Sequence, residues 1–312
     1  MSINITSLNT TLGAFARQNK AEAYRKVLKE STRDLFTLYG GSIDQVPLTR
    51  LRSASILKPY ASGGGFSATA DALTLSARIL IARRCSFDVS IVPLDLYNSW
   101  LGQVEGAPNS TPFDIPLEQF MMDSIMAQVV DDLETAVWTG SYDAAGTTPA
   151  ATMSGILPLV TAAITALEIP AANVTAGSAL TASNAFDEFK LIRDKIDPAY
   201  RNKEMLCLCS VQAKDKYLTD YQATLGATPY NSNYDQIYLE GTRAQIVAVP
   251  GMGTSSRVLV TPKENLVYAF DVDGPQSNII TQEFNRTIKV MGDFRAGVEF
   301  RDGQAIWCNN QA

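Results

Sequence analysis

From residue 117 onward, Leu117, Met121, Ile125, Val129, Leu133 and Val137 recur at every fourth position, the clearest periodicity in the chain. Met122, Met126 and Val130 widen this into one broad apolar stripe. A helix that starts at an Asp114 N-cap and runs for about 23 residues spans roughly 35 Å. An element of that length crosses a whole domain, so it predicts a structural spine against which sheets pack. Thr139 and Gly140 end it. The carboxylates Asp123, Asp131, Asp132 and Glu134 are expected on its solvated face.

Ahead of the spine, Thr11 to Tyr39 reads as a helical arm, with Phe15, Tyr24, Val27, Leu28, Leu35 and Leu38 loosely periodic among charges. Gly40 and Gly41 end the arm. From Ser42 to about Leu80 the chain turns extended, interrupted by Pro47, Pro59 and the glycines Gly63, Gly64 and Gly65. This predicts a long two-stranded loop with a flexible tip. Leu73, Leu75, Ala77, Ile79 and Ile81 alternate with Thr74, Ser76, Arg78 and Leu80 as in a half-buried strand, and a second apolar run covers Phe87 to Leu96. Gly102 to Thr111 is a turn-rich connector.

Beyond the spine, Tyr142 to Gly155 reads as a loop, Ala182 to Ile196 and Gln212 to Gln222 as helices, and Met205 to Val211 as a buried strand. Ala244 to Val249 and Arg257 to Thr261 read as strands joined by a Pro250 to Ser256 turn that uses Gly251 and Gly253. The tail gives Leu266 to Asp271, Ile279 to Met291 and Ala296 to Arg301, with a Gly292 to Arg295 turn closing an antiparallel hairpin.

The chemistry available to such a chain is narrow. Its 312 residues include no histidine, the side chain on which most general-base and metal-site chemistry near neutral pH depends. Four cysteines, Cys85, Cys207, Cys209 and Cys308, form no framework of the secreted kind and are expected as reduced thiols in a cytosolic compartment. Cys207 and Cys209 are two apart in a strand and so face one side, which suits core packing better than a metal site. Neither the triple glycine nor the Gly251 and Gly253 pair is followed by Lys and Ser or Thr at P-loop spacing. Acidic residues number 32 against 26 basic, scattered without a basic run, which disfavours sequence-specific nucleic-acid binding. No window approaches about eighteen consecutive apolar residues, and Met1 to Lys20 is polar, so neither membrane insertion nor secretion is expected. No cofactor, no metal and no enzymatic activity are expected.

This order of elements resembles the major capsid proteins of tailed bacteriophages, the Hong Kong 97-type shell fold. Two stretches carry most of the likeness: "ETAVWTGSYD" (Glu134 to Asp143) leading to "MSGIL" (Met153 to Leu157), and "VLVTPKENLVYAFDVDG" (Val258 to Gly274). Neither is a catalytic signature. The resemblance covers nearly the whole chain and implies an α+β subunit. Its parts would be an N-terminal arm (1–40), an extended loop (41–84), a first peripheral segment with the spine helix (85–149), an axial domain (150–260) and a second peripheral segment (261–312).

The resemblance further implies self-association into hexamers and pentamers of an icosahedral head. Such a head encloses double-stranded DNA in the virion, is assembled in the host cytoplasm, and takes portal, scaffold or decoration proteins as further partners. The extended loop would lie across a neighbour and bend at Gly63 to Gly65 between a round precursor and an angular mature shell. Arg50, Arg52, Lys58 and Phe66 on that loop are the candidate inter-subunit contacts, the cations through ion pairs with an adjacent subunit. Some shells of this kind are chained by an isopeptide bond between a loop lysine and a neighbour's asparagine. Lys58 with Asn309 or Asn310 are the residues here, without a local match to carry the reaction over. Two other readings stand beside this one: an encapsulin compartment of the same fold that binds an enzyme cargo, and a hydrolase with an acidic site. The hydrolase lacks both a histidine and a nucleophile motif.

Overall fold

The structure, a computed structural model, describes residues 5–18, 32, 34–40, 44–53, 56–58, 73–92, 117–229, 237–271 and 278–311. Its helices are α1 (Ile5–Gln18), α2 (Leu117–Thr139), α3 (Ile156–Thr165), α4 (Ala185–Lys195), α5 (Pro198–Arg201) and α6 (Val211–Leu225). Its strands are β1 (Thr37–Gly40), β2 (Gln45–Ser53), β3 (Leu73–Ile81), β4 (Arg83–Ile91), β5 (Val174–Thr175), β6 (Met205–Cys209), β7 (Ala244–Ala248), β8 (Leu259–Pro262), β9 (Leu266–Asp271), β10 (Asn278–Phe284), β11 (Thr287–Phe300) and β12 (Trp307–Asn309).

The spine stripe folds as its spacing requires. Along α2, Met121, Met122, Ile125, Met126, Val129, Leu133, Val137 and Trp138 are buried, and they share one core with a face of a five-stranded sheet. In that sheet β11 is central, with β4 on one side and β10 followed by β9 on the other, and β1 pairs in parallel with β9. Ile288, Val290, Phe294, Ala296, Val298 and Phe300 of β11 point into the α2 core, as period-two alternation dictates. Leu8, Leu12 and Ala16 of α1 enter the same core.

The second five-stranded sheet has the order β5-β12-β8-β6-β7. Its strand β6 reads as an unbroken apolar run because both of its faces are covered. Met205, Cys207 and Cys209 face α4 and α6, where Phe186, Phe189 and Tyr217 make a tilted aromatic cluster, while Leu206 and Leu208 join the α2 core. The cysteine pair therefore lies on one side of the strand, in the core. β12 returns to this sheet between β5 and β8, so residues 261–312 serve both sheets, with β9 to β11 in the first and β12 in the second.

Several sequence expectations are corrected. Thr11 to Tyr39 is not one helix: α1 lies at Ile5–Gln18, and Thr37–Gly40 is a strand on the edge of β9, because burying Leu35 and Phe36 and pairing the backbone outweigh loose helical spacing. The tail hairpin turns at Asn285 (φ 56°) and Arg286, not at Gly292 to Arg295, which lie inside the 14-residue strand β11. Gly292 sits opposite Phe87, and a Cβ there would come within 2.2 Å of the Phe87 ring, so the residue makes room for an aromatic and does not form a turn. The strands β7 and β8 are joined through the Pro250 turn as read, and β6 runs between them in the sheet. α6 extends three residues past Gln222 to Leu225, capped at Ser210, whose hydroxyl accepts from the Ala213 amide at 3.2 Å, and ended by left-handed Gly226. α3 is not assigned from the sequence although Ile156, Val160 and Ala163 recur at helical spacing, and the three-residue β12 is too short to carry a pattern. The Asp114 cap, the Gly63 to Gly65 tip, Phe66 and the 102–111 connector lie outside the described residues.

Substituting Gly292→Val will force the Phe87 ring out of its place and lower stability by about 1–3 kcal/mol, read from the urea midpoint. The loss will be smaller when the same change is made in a Phe87→Ala background, which frees the space; equal losses in both backgrounds would contradict the packing account.

Candidate assembly surface

β3 and β4 are consecutive and change sheets at Ala82. Below that point β4 belongs to the first sheet; above it β3 pairs only with β2, from Gln45↔Ile81 to Ser53↔Leu73, and forms a two-stranded ribbon. The ribbon leaves from the sheet face opposite α2. Val267 and Ala269 of β9 point to that face and meet Leu48, Leu80 and Ala82 in a small separate core. Close contact with the sheet is permitted by Gly297, where a Cβ would lie 2.3 Å from the Ile81 carbonyl oxygen.

Residues directly opposite in an antiparallel pair share a face, so the register sorts the ribbon into two sides. One side carries Val46, Leu48, Arg50, Leu80 and Arg78 and turns toward the body of the subunit. The other carries Pro47, Thr49, Leu51, Leu73, Leu75, Ala77, Ile79 and Ile81, all exposed. Leu75 is 70% accessible, Leu51 64%, Leu73 60% and Ile79 53%. A contiguous apolar strip of this kind on an isolated two-stranded ribbon is marginal in water, which makes it the candidate contact surface.

The base of the ribbon is held by charge. Arg78 donates from Nε to Glu299 Oε1 at 3.1 Å, pairs through Nη1 with Glu168, and lays its guanidinium 4.0 Å from the centroid of the Phe300 ring. Arg50 pairs with Asp302, and Arg295 with Asp44. Burial raises the Glu299 carboxyl above its ordinary range, opposed by the adjacent Arg78 and by the Phe300 amide that donates to it at 2.9 Å.

The contact residues expected from the sequence therefore separate. Arg50 is engaged within its own subunit, and Lys58 lies beyond β2 on an exposed stretch and also has an interaction partner. Arg52 is in β2 opposite Thr74, while Phe66 lies outside the described residues. The apolar strip itself is visible as the alternation from Leu73 to Ile81, read as a half-buried strand without saying which face is covered. What the sequence missed is that α2 covers the opposite side of the sheet.

Two chemical expectations also change or sharpen. Glu134 is not on the solvated face: it is buried, accepts from the Thr32 hydroxyl at 2.7 Å, and its second oxygen has no hydrogen-bond partner among the described residues. The Pro250–Met252 turn packs on this flank of α2, with Gly251 against Glu134 and Trp138, and so covers it. Asn309 is buried and already engaged, its Oδ1 accepting from the Val258 amide and its Nδ2 donating to the Ser256 carbonyl, which leaves its amide unavailable to a lysine. Among the described residues no group of three or more Cys, Asp or Glu side chains is placed to hold a metal ion.

All four thiols are buried. Burial pushes Cys85 and Cys308 up to about 11 and Cys209 up to about 12, and drives Cys207 well above the ordinary thiol range.

The sequence matches no protein family and no curated protein sequence. Solved structures give the likeness instead. A chain of the satellite phage P4 procapsid that includes the size determination (Sid) protein superposes with a TM-score of 0.60 at 13% identity, covering 99% of this chain and 91% of that one. The capsid of the empty GTA particle gives 0.59 at 11% identity over 90% of each chain, and the cyanophage A-1(L) capsid 0.55 at 10% identity over 90% of this chain and 92% of that one. The holo-SrpI encapsulin complex of Synechococcus elongatus PCC 7942 gives 0.50 at 10% identity, covering 91% and 88%. The chain thus has an α+β fold of the phage-capsid type, the Hong Kong 97-type architecture that its order of elements resembles.

At pH 8 the native protein will react with a thiol reagent about a hundredfold more slowly than free cysteine, and denaturant will release all four sulfurs together. Rapid modification of one cysteine in the native state would contradict its burial.

Proposed function

We propose that this chain is the structural subunit of a tailed-phage head, assembling through itself into hexamers and pentamers that enclose double-stranded DNA. The observation that carries the proposal is the ribbon: a strip of exposed leucine and isoleucine on one side, held at its base by its own subunit on the other. A second copy supplies the missing cover. Each leucine buried there contributes about 1.5–3 kcal/mol in transfer terms, most of which is offset by the cost of association. A single contact is therefore weak. Repeated around closed rings and over a whole shell, it becomes stable through effective concentration.

In this reading residues 85–149 and most of 261–312 form the peripheral part and 150–260 the axial part, with β12 joining the second sheet. Arg52 and Lys58 are taken as charged contacts with an adjacent subunit, where charges set orientation and encounter rate more than affinity. The shell is assembled in the host cytoplasm and persists in the virion, with portal, scaffold or decoration proteins as further partners. The chain acts by assembly and not by catalysis. The likeness to an encapsulin supports a second reading with the same contacts and a different content, a protein cargo in place of DNA.

Negative-stain electron microscopy and sedimentation velocity of the purified chain are expected to show shells or ring-shaped capsomers. Leu75→Asp and Arg52→Glu will each leave the subunit folded, with a thermal midpoint within a few degrees of wild type, and stop assembly. Normal shells from Leu75→Asp, or a wild-type chain that remains monomeric at high concentration and beside its neighbouring genes, would refute the proposal. Nuclease-sensitive nucleic acid inside native particles separates the phage head from the cargo compartment.

A further inference from the structure

The ribbon must leave the subunit at a defined angle if it is to meet the next copy, and its apolar footing does not define one. The base core of Leu48, Leu80 and Ala82 on Val267 and Ala269 is small, and apolar contact is non-directional. A planar guanidinium with two fixed acceptors is directional. Building on the shell reading above, we infer that Arg78 is a positioning residue that sets the ribbon's angle and thereby selects the curvature of the assembled shell.

Arg78 joins the ribbon to two separate elements at once. Its Nε meets Glu299 in β11, its Nη1 meets Glu168 beyond the end of α3, and its flat face rests on Phe300. Both carboxylates are themselves held. Glu299 is 5% accessible and also accepts from the Phe300 amide. Glu168 follows Leu167, which adopts left-handed backbone (φ 59°) although its side chain is 75% accessible and buries nothing in return. Hydrogen bonds donated by the Leu167 amide to the Ile164 carbonyl and by the Glu168 amide to the Ala163 carbonyl fix that turn. A non-glycine residue is strained in this conformation, and what the turn achieves is the placement of Glu168 against the ribbon.

The grip comes from both strands at nearly the same level. Arg78 lies opposite Leu48, and two residues further out on the other strand Arg50 pairs with Asp302, just past the end of β11. Beyond Arg78 in β3, every side chain from Leu73 to Ala77 is exposed. The clamp thus works at the short end of a lever. At about 3.3 Å per residue the strand reaches about 17 Å from Arg78 to Leu73, so a tilt of about 10° at the clamp moves its outer end by about 3 Å. Displacements of that size at every contact separate one curvature from another.

The test uses the full chain with Arg78→Met, which keeps the aliphatic stem, Arg78→Lys, which restores a single cationic contact, and Glu168→Gln, which removes the charge of a half-exposed carboxylate. Amide hydrogen exchange of the dissociated subunit and the diameter distribution of assembled particles are measured well below the melting temperature. Arg78→Met is expected to raise exchange at residues 45–53 and 73–81 tenfold or more, to leave 205–209 unchanged, and to turn a single particle diameter into a broad distribution or open sheets. Arg78→Lys recovers part of both effects, and Glu168→Gln shifts both in the same direction by less. If Arg78→Met does not fold, Glu168→Gln decides by the same criteria. Wild-type protection of the ribbon, or lost protection with an unchanged single diameter, overturns the inference. A wild-type chain that forms no particles overturns the shell reading and the curvature role together, while the exchange data alone still decide whether Arg78 fixes the ribbon.

Discussion

The fold depends on covering both faces of β11. One face takes the apolar stripe of α2, and the other takes the base of the ribbon from Ala296 onward, where the alternation of buried and half-exposed residues gives way to continuous burial. A strand that is covered on both sides has no freedom of register, because a slip of one residue would exchange the α2-facing set for the ribbon-facing set. Gly292 and Gly297 belong to the same constraint: each removes a side chain where another element must come close. The spine, the sheet and the projecting ribbon are thus three layers fixed by one strand.

How much of this the sequence disclosed follows from how local each signal is. The stripe of α2 and the alternation of β3 are carried by neighbouring residues, and both elements were legible. Strand β6 was legible as an apolar run because both of its faces are buried. What stayed hidden depends on partners distant in the chain. Gly292 looks like a turn until Phe87 is placed against it, and Glu134 looks solvated until the Pro250–Met252 turn and Thr32 close over its flank. β1 was hidden because four residues on the edge of β9 carry no periodicity of their own.

The candidate assembly surface was half legible. Its position in an extended loop could be read from the prolines, the glycines and the period-two pattern, and the loop's role came with the resemblance. The sidedness could not be read, because the same alternation describes a strand whose apolar face is inside and one whose apolar face is outside. Only the register of β2 against β3, together with the sheet that lies beneath them, decides between the two. The cations of the loop were similarly ambiguous in sequence: Arg50 and Arg78 turn inward to carboxylates of their own subunit, a pairing across more than 200 residues for both Arg78 with Glu299 and Arg295 with the loop's Asp44.

The four buried sulfurs have a consequence for how copies are joined. None of them is accessible to reach a neighbour's sulfur, so in the shell reading the particles are indifferent to disulfide chemistry in their surroundings. They would pass from a reducing cell interior into an oxidising medium without gaining or losing a disulfide. Taking them apart again is then a matter of temperature, denaturant or ionic strength, and no reductant will do it.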